Sequence, residues 1–102
     1  MGTMTKTPNE RLRELALSFP TMRSKHAEDP AGNGLEPFSA ERLAQASRPW
    51  TSNEKHVVAF LLTVDDRDQT LVPPFNIVEA ILGWDSSQRR AFAAWVAKQY
   101  AL

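Results

Sequence analysis

The chain has 102 residues, 42% of them hydrophobic, and its twelve Lys plus Arg are matched by twelve Asp plus Glu. That length supports one domain with one core and is too short for two. The balance holds in each half, six against six over residues 1–47 and again over 48–102, which argues against a polyanion-binding face or a charged tail.

Cysteine is absent, so disulfide frameworks, thiolate metal sites and cysteine nucleophiles are excluded, and a reducing compartment suits the chain. Apolar runs such as Val57–Leu62 fall far below the roughly 20 residues of a membrane span. The polar amino terminus has no hydrophobic signal core. These features lead us to expect a cytoplasmic protein with no membrane contact.

In chain order, Thr7-Pro8-Asn9-Glu10 reads as a capping box with proline at the first helical position. Leu12, Leu15, Ala16 and Phe19 then recur at helical spacing until Pro20, which reads as a stop. Residues 21–36 turn to Asn, Gly, Pro and charge, with Met22 and Leu35 as the large apolar side chains, and read as a flexible loop within the domain. Ser39 caps a weaker helix to about Ser47, where Phe38 is placed to clasp Leu43 and Pro49 ends the run.

Two tryptophans then precede matching helix entries, Trp50-Thr51-Ser52-Asn53-Glu54-Lys55 and Trp84-Asp85-Ser86-Ser87-Gln88-Arg89. Each is a capping box, with Thr51 or Asp85 accepting from a free amide and Glu54 or Gln88 reaching back. Each tryptophan is placed to stack on the cation one turn inside, Lys55 or Arg89. The entries lie 34 residues apart, as in some helical arrays, but the likeness stops at the caps.

The helix from Thr51 to about Val64 carries Val57, Val58, Phe60, Leu61, Leu62 and Val64 around most of its circumference, which marks a central, buried helix. Asp65–Thr70 reads as a polar turn, and Pro73-Pro74 blocks any helix through it. Phe75–Leu82 restarts a helix with Phe75, Val78, Ile81 and Leu82 inward, ending at Gly83 in the left-handed position. A last helix from Ser86 to near Tyr100 buries Phe92, Trp95 and Val96, with Gln99 on the same side. The class is therefore all-α, a single compact domain (1–102) of four or five helices around the central helix at about 51–64.

Catalytic signals are poor. His56 and Glu54 are two apart on a helix and face different ways, and His26 falls in the segment read as a loop. Asp66-Arg67-Asp68-Gln69-Thr70 begins like a calcium loop, but Leu71 stands where glycine is needed and Ile77 where a bidentate carboxylate is needed. No glycine-rich phosphate loop or nucleophile elbow occurs. A non-enzyme without cofactor or metal is the expectation.

Two binding surfaces can be read on the last helix. Phe75–Leu82, the turn at Gly83-Trp84-Asp85 and the helix 86–100 resemble a helix-turn-helix, with Ser87, Gln88, Arg89 and Arg90 as the candidate DNA contacts. Opposite its core side, Arg90, Ala93, Ala94, Ala97 and Ala101 gather into a smooth stripe, the candidate partner surface for a closely approaching helix of a second copy or of another protein. Alanine on an exposed helix face is also simply the best helix former.

The residues Trp50-Thr51-Ser52-Asn53-Glu54-Lys55-His56, Phe60-Leu61-Leu62, Pro74-Phe75, Gly83-Trp84-Asp85 and Arg90-Ala91-Phe92-Ala93-Ala94-Trp95 resemble a group of small uncharacterised bacterial proteins, some encoded near phage or mobile-element genes. The resemblance covers about the last half of the chain and implies a shared fold, with no catalytic assignment. Lys98-Gln99-Tyr100 departs from that group's Trp/Pro-rich terminus, which detaches any shared partner from the resemblance. We expect a small helical protein that acts by protein–protein binding, as an inhibitor or adaptor from a phage or mobile element. A DNA-binding regulator using helix 86–100 is the alternative, and nucleic acid the second-ranked partner.

Overall fold

A computed structural model describes residues 8–33, 35–65 and 72–100. Among the described residues six helices make up the fold: α1 (Pro8–Leu17), α2 (Pro20–Glu28), α3 (Ala40–Ala46), α4 (Ser52–Asp65), α5 (Ile77–Gly83) and α6 (Ser86–Tyr100). The class is all-α, and no strand occurs among the described residues. Thr7, with its half of the first capping box, and the expected turn at 66–70 lie outside them.

The helix α4 is central, as its all-round apolar pattern requires. Its entry is a complete capping box, in which the Thr51 amide donates to Glu54 Oε1 at 2.9 Å and the Glu54 amide to Thr51 Oγ1 at 3.3 Å. Every residue from Val57 to Leu62 is buried. It packs against α1, α3 and α5, while α2 lies on α1 and α6.

Phe60 is the hub of the core. Its ring lies 5.6 Å from Phe19, 5.5 Å from Phe75, 5.2 Å from Phe92 and 5.0 Å from Trp95, centroid to centroid. The last two contacts are edge-on, the arrangement favoured by the ring quadrupoles. Trp84 closes the cluster against Phe19, Phe75 and Phe92. Its indole N–H donates to the Asn53 carbonyl at 2.9 Å, so the buried donor is satisfied at the first turn of α4.

The segment 21–36, expected to be a flexible loop, is largely structured. Pro20 opens α2 instead of ending order, because a proline at the first helical position lacks an amide that would be free anyway. Met22 and Leu35 are both fully buried. The turn after α2 meets its own backbone needs: the Leu35 and Glu36 amides donate to the Pro30 carbonyl, and Asn33 Nδ2 donates to the Lys25 carbonyl. Leu35 then bridges Phe38, and Ser39 caps α3 by accepting from the Arg42 amide.

Gln88 departs from the expected box. Asp85 does cap α6, accepting from the Gln88 amide at 2.9 Å. The Gln88 side chain, however, reaches across the fold to Thr21, where Oε1 accepts from the amide at 3.2 Å and Nε2 donates to the hydroxyl at 2.7 Å. The reason lies in α2, whose N-cap residue Phe19 makes no side-chain cap bond. Gln88 supplies the missing acceptor to a helix-end amide.

Both expected tryptophan–cation stacks are also replaced. Lys25 lies over the Trp50 ring, 4.9 Å from its centroid, and pairs with Glu54 at 3.4 Å, so the cation comes from α2 and not from Lys55. Trp84 is enclosed by rings, and Arg89 Nε donates instead to the Ile81 carbonyl at 2.8 Å. Gln99 is exposed, its amide donating to the Trp95 carbonyl, and Phe92 and Trp95 are half-buried at the edge of the core.

Phe60→Ala removes the ring that four others share and should cost about 3–5 kcal/mol in urea unfolding. A loss under about 1 kcal/mol would contradict the hub assignment. Gln88→Ala leaves the Thr21 amide without its acceptor and should cost about 1–3 kcal/mol, with the amide exchange of α2 accelerated more than that of α4. Equal acceleration in both helices would show that Gln88 does not act on α2 in particular.

Candidate interaction surfaces

The register of α5 is set at its two ends. Phe75 packs inward just before the helix and Trp84 just after it, and between them Ala80 is fully buried. At about 100° per residue, Ala80 and Trp84 share one side and Val78 and Leu82 lie opposite, 64% and 77% exposed. Ile77, at the first turn and nearer the Ala80 side, is 49% exposed. This corrects the expectation that Val78 and Leu82 face the core. Asn76 caps the helix by accepting from the Glu79 amide at 3.1 Å.

Gly83 is the last residue of α5 and its backbone is not left-handed. It lies close to the Asn53 side chain, whose Oδ1 would stand 2.2 Å from a Cβ there and would have to turn aside. The same crossing of α5 over the start of α4 carries the Trp84–Asn53 bond.

A second feature is a cleft of about 430 Å³ between the α3–α4 turn and the segment leading into α5. Ser52, Lys55, His56 and Ala59 lie at helical spacing on one face of α4 and all line it. Arg48 adds a second cation and Glu79 a carboxylate. Glu54 projects from the other side of α4, held by Thr51 and Lys25.

The residues singled out on α6 fall in different places. Arg90, Ala93, Ala94 and Ala97 are exposed on the helix surface, and Ala101 lies outside the described residues. Ser87 donates to Asp85 Oδ1 at 2.7 Å. Gln88 is 4% exposed with both polar ends engaged by Thr21, which corrects its placement among DNA contacts. Arg89 is drawn back onto the end of α5, leaving Arg90 as the cation of that set with no such tie among the described residues.

His26 lies on α2, where its Nε2 faces Glu36 Oε1 at 3.5 Å and Arg13 pairs with the same carboxylate. No group of three or more His, Cys, Asp or Glu side chains suited to a metal occurs among the described residues. No described helix is long and apolar enough to cross a membrane. The chain matches no protein-family model, no curated protein and no solved structure.

Three carboxylates sit below their ordinary range. The Arg13 guanidinium holds Glu36 down against a smaller opposing effect of burial. Burial pushes Glu54 up, but the Thr51 amide and the Lys25 charge outweigh it. The Ser87 hydroxyl and the Gln88 amide lower Asp85. Each is deprotonated more readily folded than unfolded, so its contribution is complete above the unfolded carboxylate value and lost as pH falls through the lower folded one. The urea midpoint should therefore decline below about pH 4.5, and Glu54→Gln should lessen the decline. A midpoint unchanged from neutral pH to about pH 3 would contradict these assignments.

Proposed function

We propose that this chain is a small non-enzymatic binding protein whose partner is another protein, engaged through the outward face of α5. The observation that carries this reading is the exposure of Val78 and Leu82 on the outward side of a helix whose position is set at its two ends by the half-buried Phe75 and the buried Trp84. Large aliphatic side chains gathered on a rigid element are the usual mark of an interaction site. The alanine face of α6 supplies single methyl groups and so less apolar area per residue. The absence of cysteine suits a cytoplasmic setting. On the mobile-element resemblance, the partner would be a host enzyme or defence complex that the protein inhibits or recruits.

Val78→Glu combined with Leu82→Glu should leave the circular dichroism unchanged and alter stability by about 0.5 kcal/mol or less, because both side chains are in solvent. The same variant should abolish recovery of a specific protein co-purifying from the native host, or self-association in sedimentation where the partner is a second copy. Ala97→Glu, on the alanine face, should leave recovery intact. Recovery unaffected by the α5 variant and lost with Ala97→Glu would move the interface to α6.

A further inference from the structure

We propose that the cleft between the α3–α4 turn and the Pro73-Pro74 segment is a binding site for a small hydrophobic carboxylate, separate from the α5 face. The chemistry of its lining carries the assignment. Arg48, Lys55 and His56 line it, and among the described residues none of the three makes a side-chain hydrogen bond or ion pair. The nearest helix acid, Glu54, is turned away and occupied by Thr51 and Lys25, and among the described residues Glu79 is the single carboxylate lining the cleft. Among the described lining residues the two cations outnumber that one carboxylate, although the whole chain is neutral.

The apolar lining is the half-buried Val72 with the exposed Pro73 and Pro74, backed by the buried Val58 and Ala59 of α4. An inorganic anion makes no use of such a surface, whereas the apolar body of an organic acid does. A volume of about 430 Å³ lies within the range of small-molecule sites, which are mostly apolar with a few polar groups that set orientation. The Arg48 guanidinium offers a planar fork to a carboxylate, Lys55 a point charge, and His56 a ring N–H in either protonation state. The amino-terminal end of α4 at Ser52 adds its partial positive charge on the same side.

Titration of the ¹⁵N-labelled full chain with octanoate, 1-octanol and inorganic phosphate tests this directly. Octanoate should shift the amide signals of Ser52, His56 and Ala59 saturably, and octanol should bind about tenfold more weakly for want of the charge-assisted hydrogen bonds. Lys55→Glu and Arg48→Glu, both at exposed positions, should each weaken octanoate by about tenfold or more. Val78→Glu with Leu82→Glu should leave octanoate binding unchanged, separating the cleft from adsorption on α5. Absence of saturable octanoate shifts, equal binding of octanol, saturation by phosphate alone, or loss of binding in the α5 variant would each overturn the assignment.

Discussion

The ring of Phe60 is the contact on which this structure depends. Four aromatic side chains meet it, from the turn before α2 (Phe19), the segment before α5 (Phe75) and α6 (Phe92 and Trp95). A chain of this length has little interior to share, and concentrating large rings at one point lets one residue of α4 hold three otherwise separate segments. Trp84 extends the cluster and adds a directional bond to Asn53. That bond and the close approach of Gly83 to Asn53 set where α5 crosses α4.

This core decides what is left outside. With Phe75, Ala80 and Trp84 turned inward, a seven-residue helix has no second inward face, and Val78 and Leu82 are committed to solvent. On the other side of the molecule, α2 is held by borrowed groups. Gln88 completes its amino terminus, Lys25 ties it to Trp50 and Glu54, and Met22 anchors it in the core. The cation that Trp50 needs therefore comes from α2, and Lys55 remains available to the cleft.

The all-helical class, the central position of α4 and the starts of α4 and α6 are legible in the sequence, because caps and periodicity are local signals. Thr51 and Glu54 pair as their spacing requires. What is not legible depends on distant residues. A proline that stops one helix and a proline that starts the next look alike in sequence, and Pro20 does both. The acceptor for Thr21 lies 67 residues away, beyond any motif. The face that α5 buries is chosen by Phe75 and Trp84 at its flanks, so its own apolar pattern misleads. The cleft has a faint signal, the spacing of Ser52, Lys55, His56 and Ala59, but only the position of the Pro73-Pro74 segment closes it into a site.

Solvent relaxation of the methyl groups by a soluble paramagnetic agent tests most directly whether the aromatic hub turns α5 outward. With dilute monomer, the Val78 and Leu82 methyls should relax strongly, while those of Ala80, Leu61 and Val57 stay protected at 0% exposure. Protection of Val78 and Leu82 together with relaxation of Ala80 would mean that α5 packs in the opposite sense and that the proposed partner face is part of the core.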